Sequence, residues 1–420
     1  MNQYETNAMI QKFKEAGYKI VNIDEDISDI CVVNTCTVTN MSDRKSRQTL
    51  RKVKDKNLNA IIIATGCYAQ VSKEELEKMP EIDIVLGNEE KKEIVEYVEK
   101  YISNSKVKIS EVEDIGSKKE FEEIGLISYT EKTRAVVKVQ DGCNQFCSYC
   151  IIPYARGRVR SRKPESVIKE IKQISSKGIQ EVVLTGIHLA SYGKDFEDGR
   201  IKLIDLLEQI NEIEGIKRIR LGSLEPKIIT EEFMQRLTKL SKICHHFHLS
   251  LQSGCDETLK RMNRKYNTEE FCEIVERLRK YYKDVILTTD IIVGFPGETE
   301  EEFCKTYKFL EEIKFYKMHV FPYSPRKGTV AAKMKNQVSG DIKEKRSKKI
   351  IELSNKNQLQ YNQKIVGKEV EVLFEEPHDK TYFKGHTQNY ILVKYKTDEN
   401  LENLIKKVKI EKADVEYVEA

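Results

Sequence analysis

Residues 134–150 read RAVVKVQDGCNQFCSYC. The first seven form a Val-rich run that suits a buried β-strand, and Asp141–Gly142 end it. Cys143, Cys147 and Cys150 follow at C-x3-C-x2-C spacing. Three thiolates on one short loop can hold three corners of an iron–sulfur cube and leave the fourth iron without a protein ligand. A structural zinc loop is the alternative, but closed zinc sites take four protein ligands in spaced pairs, and no fourth Cys or His follows nearby.

Downstream, apolar runs recur as EVVLTG from 181, RIRLGS from 218, HFHLSLQS from 246, DVILTTDIIVGF from 284 and MHVFPYS from 318, with helical patterns between them. Six βα units predict a partial or full parallel barrel, whose active site belongs at the carboxyl ends of its strands. The cysteine loop occupies such an end. Upstream, residues 3–16 carry Ala8, Ile10, Phe13 and Ala16 at helical spacing and stop at Gly17. KIVNI, DICVVN, NAIIIA and DIVLG then alternate with helical stretches such as SDRKSRQTLRKV and KKEIVEYVEKYI, the pattern of an open parallel α/β sheet. Cys36 and Cys67 each lie just past a strand of that sheet, where such folds bind ligands, and are expected to share a crevice as a second metal site. The bland reading of each is a small buried side chain, which is the reading given to Cys31, Cys244, Cys255, Cys272 and Cys304.

The polar stretch at 103–123 is expected to be a linker. Lys333–Lys364 reads as a charged helix, and KEVEVLF, NYILVKYK and VKIEKADVEYV beyond it as a small antiparallel β-barrel. The expected fold class is therefore α/β with a C-terminal β-module: an α/β domain over 1–115, a barrel over 125–355 and the module over 360–420.

Length and composition agree with this. A chain of 420 residues has room for two or three domains, and 33% charged and 39% hydrophobic residues with 8 prolines exclude a collagenous or largely disordered chain. No apolar run is long enough to span a bilayer and the opening lacks a secretory core, so the expected location is the cytoplasm, without membrane attachment. Ten cysteines in such a chain point to metal or redox chemistry rather than a disulfide framework. The net charge, 72 − 68 = +4, identifies no polyanion partner, so local clusters must carry that argument. Arg156, Arg158, Arg160, Arg162 and Lys163 put five cations into eight residues without an acid, which suits phosphate contacts; a solvated basic loop is the alternative. Tyr390 and His386 in GHTQNY can stack on bases, or simply form a hairpin. Cys244, His246 and His248 can be mistaken for zinc ligands, but strand alternation favours lumen or packing positions.

Together, NTCTVTN, TGCYAQ, DGCNQFCSYCIIPYARGRVRSR, LTGIHLASYG, LGSLEP, HFHLSLQSGCDETLKRMNRKY, DIIVGFPGET and FPYSPRKGT resemble the methylthiotransferase family of radical S-adenosylmethionine enzymes. The resemblance covers nearly the whole chain, and the β-module resembles the RNA-binding TRAM domain. NQYET, CTVTN and RGRVRSR are most similar to the branch acting on N6-threonylcarbamoyladenosine beside the tRNA anticodon. Sister branches act on isopentenyladenosine in tRNA or on an aspartate of a ribosomal protein. The resemblance implies two [4Fe–4S] clusters. One, on Cys143, Cys147 and Cys150, binds S-adenosylmethionine and makes a radical from it; an auxiliary one, on Cys36 and Cys67, delivers sulfur to C2 of adenine, with a second S-adenosylmethionine donating the methyl group. It implies tRNA and an electron donor as partners. At the strand ends, Gly186, Gly222, Ser223, Glu225, Gly294 and Pro296 are candidates to shape the S-adenosylmethionine pocket, since glycines let backbone approach a ligand closely. The family's auxiliary clusters use three cysteines, the first standing just before the segment equivalent to MNQYET. Here it has no counterpart, and since the chain opens inside a helix, Met1 is expected to be internal to a longer protein. A rival from another class is an RNA-binding zinc protein without turnover.

Overall fold

Strands rich in Ile and Val need apolar cover on both faces, and the N-terminal sheet has it. The structure, a computed structural model, describes every residue except 1, 23–25, 124–132, 198 and 380. It divides into two compact units: Met1–Ser128, Gln140–Arg162 and Ser324–Ala332 form the first, and Tyr129–Val139, Lys163–Tyr323 and Lys333–Ala420 the second.

In the first unit the order is α1 (Asn2–Glu15), β1 (Ile30–Thr35), α2 (Asn40–Lys56), β2 (Ile61–Gly66), α3 (Cys67–Val71), α4 (Lys73–Glu77), β3 (Ile84–Leu86), α5 (Ile94–Ser103) and β4 (Ile109–Glu111). The four strands pair in parallel in that order. Ile62, Ala64 and Val85 pack with Leu50, Val53 and Leu76 on one face, while Ile63, Ile84 and Leu86 pack with Met9, Phe13 and Val98 on the other. Two expectations need correction. KIVNI forms no strand over residues 19–22, where Ile20 is exposed and finds no core, and Ile23 lies outside the described residues. The expected linker contains β4, because Ile109 completes the core beside Ile84 and pairs with it. Next come β5 (Arg134–Asp141), α6 (Ile152–Arg156) and β6 (Arg160–Ser161), with Gln140 and Asp141 of β5 antiparallel to β6.

The second unit continues through α7 (Pro164–Ser176), β7 (Glu181–Gly186), α8 (Leu203–Asn211), β8 (Arg218–Leu221), α9 (Glu231–Leu237) and β9 (His246–Gln252). Then follow α10 (Asp256–Arg261), α11 (Thr268–Tyr281), β10 (Ile286–Val293), α12 (Glu300–Ile313) and β11 (Lys317–Pro322). β5, β7 and β8 lie side by side, as do β9, β10 and β11, and parallel bridges at Ile219–Ile243 and Leu224–Leu249 join the two sets. The result is a six-stranded half-barrel in which helices link successive parallel strands. Capping boxes at Asn267 with Glu270 and Thr299 with Glu302 start α11 and α12 where the sequence turns polar.

α13 (Gly340–Lys364) leads into β12 (Glu369–Pro377), β13 (Tyr382–Thr387), β14 (Leu392–Lys396), β15 (Ile405–Lys409), β16 (Lys412–Ala413) and β17 (Val418–Glu419). Their order is β15-β12-β13-β14-β17-β16, and only Ile410 and Glu411 separate β15 from β16, so the two sheet edges meet through the chain. β14 and β17 pair in parallel, the one departure from the antiparallel expectation. β13 escapes a reading by apolar alternation because its inward residues are Phe383, Gly385 and Thr387; a Cβ on Gly385 would lie 2.8 Å from Phe374 Cα. Among the described residues no helix is long and apolar enough to cross a membrane.

Candidate active site

Thr35 of β1 pairs with Gly66 of β2, so Cys36 and Cys67 follow a matched pair of strand ends at the carboxyl edge of the sheet. Gly66 has φ +99°, and a Cβ there would stand 2.5 Å from the Thr35 carbonyl oxygen, so only glycine permits this approach. Cys67 is buried and Cys36 half-buried. Thr39 caps α2 by accepting from Ser42 N at 3.1 Å, and Ser46 Oγ donates to the Cys36 carbonyl at 3.4 Å. Arg326 pins the same loop, donating to Thr37 Oγ1 and Asp43 Oδ2 at 2.6 Å and to Asn40 Oδ1 at 2.5 Å. Sequence reading gave Arg326 no role; its basic SPRKG turn was the only signal.

Cys143, Cys147 and Cys150, all half-buried, occupy the loop between β5 and α6. The following segment braces that loop. Cys143 N donates to the Gly157 carbonyl at 3.0 Å, Val159 N to Asn144 Oδ1 at 3.2 Å, and the Arg158 guanidinium lies 4.8 Å from the Phe146 ring centroid. Gly142, at φ +70°, is necessary here because a Cβ would overlap the Arg158 carbonyl. The donor set suits an iron–sulfur cluster, being three thiols within eight residues and no other ligand type on the loop. As placed, no group of three or more His, Cys, Asp and Glu side chains among the described residues is arranged to hold a metal ion.

Behind the loop lies a buried ion network. Glu5, with no exposed surface, accepts from Lys91 Nζ at 2.5 Å and from both terminal nitrogens of Arg156. Arg156 also donates its Nε to Cys67 Sγ at 3.0 Å and lies 3.4 Å from Asp141 Oδ2. Arg160 donates to Glu89 at 2.6 Å, and Arg162 to Glu123 at 3.1 Å. Burial opposes the Arg156 charge, but Cys67, Glu5 and Asp141 outweigh it and hold its pKa well above the usual value. Arg156, Arg160 and Arg162 are each 1% exposed. This corrects the phosphate-contact expectation for all three, since reaching a phosphate would break buried charge pairs. Arg158 and Lys163 are exposed and keep that reading.

In the second unit, Gly186 closes β7, Gly222 and Ser223 follow β8, and Gly294 and Pro296 follow β10, all at carboxyl strand ends. A Cβ on Gly222 would meet the Leu184 carbonyl oxygen at 3.1 Å. Glu225 accepts from Lys227 N at 3.0 Å, and burial raises its carboxyl pKa. Gly294 and Pro296 are buried, and the space over Gly294 is filled by the Lys343 side chain, so those two shape the turn rather than an open surface. A cavity of about 370 Å³ lies beside the β7 and β8 ends, with His188, Tyr192, Lys194, Glu225 and Phe233 in its walls. Burial pulls His188 down to about 4, which leaves it neutral at pH 7. Its position two residues past Gly186 was the available sequence signal.

His386 and Tyr390 stack on each other at 4.6 Å, and Arg220 and Arg134 sit 4.4 and 5.3 Å from the Tyr390 centroid. His386 also meets Glu375 at 2.5 Å, and Arg218 donates to the His386 carbonyl at 2.9 Å. Both rings thus have protein partners where the β-module packs on the amino ends of β5 and β8, while Tyr390 remains exposed and His386 half-buried, so their reading as stacking partners for bases is kept as a proposal. His246 Nε2 and His248 Nδ1 each lie 3.0 Å from Thr288 Oγ1 on one strand face, and Cys244, before β9, has its thiol pushed up to about 11 by burial. Cys31 and Cys255 are also buried; Cys272 is half-buried, and Cys304 is exposed, so packing does not describe it.

Residues 137–310 match the model of the Radical SAM superfamily, and residues 1–87 that of an uncharacterized protein family, UPF0004. The threonylcarbamoyladenosine tRNA methylthiotransferase MtaB of Bacillus subtilis (strain 168) is 43% identical, covering 100% of this chain and 93% of the relative. MtaB of Aquifex aeolicus (strain VF5) is 42% identical over 94% of each chain. A tRNA-2-methylthio-N(6)-dimethylallyladenosine synthase of Clostridium novyi (strain NT) is 38% identical, covering 94% of this chain and 88% of the relative. Among solved structures, the radical S-adenosylmethionine methyltransferase TsrM from Kitasatospora setae, with tryptophan and a SAM analog bound, superposes with TM-score 0.56 at 14% identity, covering 77% of this chain and 71% of its own; that likeness is one of fold. Full-length identity at this level settles the kinship: the chain belongs to the radical S-adenosylmethionine methylthiotransferase family, in its threonylcarbamoyladenosine tRNA branch.

Proposed function

We propose that this protein transfers a methylthio group to C2 of N6-threonylcarbamoyladenosine next to the anticodon of tRNA. The observation that carries the reading is 43% identity to a threonylcarbamoyladenosine tRNA methylthiotransferase along the whole chain. S-adenosylmethionine and a [4Fe–4S] cluster supply the radical chemistry, and Cys143, Cys147 and Cys150 are the residues we assign to hold that cluster. The chain's own part there is to present three thiols on a braced loop with one side left for cofactor. Cys36 and Cys67 are assigned to an auxiliary cluster that delivers sulfur; Arg156 donates a hydrogen bond to the second of these and fixes its orientation. Gly186, Gly222, Ser223 and Glu225 are assigned to S-adenosylmethionine, and Arg158 and Lys163 to tRNA phosphates. The three parts expected from sequence, 1–115, 125–355 and 360–420, then serve sulfur delivery, radical formation and RNA docking. An external electron donor and a cytoplasmic location complete the reading.

Two results test it. Offered tRNA carrying threonylcarbamoyladenosine or isopentenyladenosine, the enzyme should favour the first in kcat/KM by about a hundredfold or more, because a pocket built for a polar, charged substituent leaves its groups unpaired against an apolar one. Equal rates on both would defeat the substrate assignment. Separately, Cys36→Ala or Cys67→Ala should leave 5′-deoxyadenosine formation intact and remove methylthio product. Equal loss of both, with loop iron retained, would argue for one shared site.

A further inference from the structure

Burial of three of the five cations in the Arg156–Lys163 run removes most of the expected phosphate contacts, and α2 offers a replacement. Its buried face carries Asp43, Ser46, Leu50 and Val53, and the opposite side, at i, i+1, i+7 and i+8 spacing, carries Arg44, Lys45, Arg51 and Lys52, all exposed. Cations on a surface helix are commonly neutralised by neighbouring acids. Here Arg47, Arg51 and Lys54 are, through Glu75, Glu81 and Asp83, whereas among the described residues the side chains of Arg44, Lys45 and Lys52 form no ion pair or hydrogen bond. The helix holds only two acids, and one of them, Asp43, is buried under Arg326. Arg44 and Lys52 stand about 12 Å apart along the axis, enough to follow successive phosphates. α2 also begins three residues past Cys36, at the Thr39 cap, and Arg326 fixes that junction.

We infer that the exposed face of α2, through Arg44, Lys45 and Lys52, is a contact surface for the tRNA backbone. The inference rests on the tRNA reading above and extends it: a base brought to the sulfur-delivering cysteines carries its neighbouring phosphates along the helix that starts beside them. Such contacts fix register and add affinity without reading sequence.

The test is the triple substitution Arg44→Gln, Lys45→Gln, Lys52→Gln in the full-length, cluster-loaded enzyme, with tRNA affinity measured across a salt series. Three lost phosphate contacts should flatten the slope of log affinity against log salt by roughly two to three units and raise KM for tRNA while kcat is kept. Deoxyadenosine formation without tRNA should be unchanged, which also shows that the variant folds. An Arg44→Lys, Lys45→Arg, Lys52→Arg protein should keep the native slope. Equal removal of charge from the barrel's outer side, by Lys239→Gln in the turn after α9, Lys280→Gln on α11 and Lys308→Gln on α12, should leave it unmoved. An unchanged slope in the α2 variant would overturn the inference. So would equal flattening in the barrel variant, or a loss seen with heparin and not with tRNA, which would mark the face as a general polyanion surface. Native enzyme that cleaves S-adenosylmethionine yet binds no tRNA would instead bring down the substrate reading, and this surface with it.

Discussion

Replacing Cys147 by alanine is expected to abolish S-adenosylmethionine cleavage, and Cys143→Ala and Cys150→Ala to do the same. An iron–sulfur cube with one open iron needs all three remaining corners held, so two thiols leave it labile rather than weakly active. The fold should survive, because all three side chains are half-buried and the loop is braced through backbone and ring contacts of Gly157, Asn144 and Arg158. The checking measurement is 5′-deoxyadenosine formed under strong reductant without oxygen, beside iron content and far-ultraviolet circular dichroism. Retained deoxyadenosine in any of the three variants contradicts the assignment of this loop.

The second large effect falls on stability. Glu5, Asp141 and Glu89 face Lys91, Arg156 and Arg160 in the core of the first unit, three carboxylates against three cations. Removing one partner from such a network leaves opposite charges buried without compensation, at about 3–5 kcal/mol. Arg156→Ala should therefore lower the urea midpoint of the metal-free protein strongly, by an amount that is a large share of a typical domain's stability. Arg156→Lys should recover part of the loss, because a point charge meets one partner where the guanidinium fork meets Glu5, Asp141 and Cys67 together. A native midpoint for the alanine variant would show that the network contributes nothing. Since Arg156 donates to Cys67 Sγ, the cluster-loaded lysine variant should also show an altered electron paramagnetic resonance spectrum, a readout that stability alone does not move.

Much of this architecture was legible because strand and helix periods are local properties. All six barrel strands lie where the apolar runs placed them, and Cys36 and Cys67 do sit at paired strand ends. What was hidden depends on partners distant in sequence. Five cations in eight residues look like a solvated or RNA-facing run until Glu5, Glu89 and Glu123 arrive to bury three of them. β4 has three residues and earns its place only by pairing with β3; β13 hides because glycine and threonine face inward. Tyr390 and His386 carry the right chemistry for stacking on bases, yet the stacking observed is on each other and on two arginines. In the other direction, the exposed face of α2 was in plain view as SDRKSRQTLRKV and was read only as a helix. Its significance emerges from which of its cations lack a carboxylate.

The most direct measurement is the nucleoside content of tRNA after reaction. Protein reconstituted with iron and sulfide without oxygen, given S-adenosylmethionine, a reductant and tRNA bearing N6-threonylcarbamoyladenosine, should yield 2-methylthio-N6-threonylcarbamoyladenosine on nuclease digestion and mass spectrometry, with deuterium from methyl-labelled S-adenosylmethionine in the new group. Deoxyadenosine formed with no methylthio nucleoside on this tRNA, while isopentenyladenosine tRNA or a protein aspartate is converted under the same conditions, would contradict it.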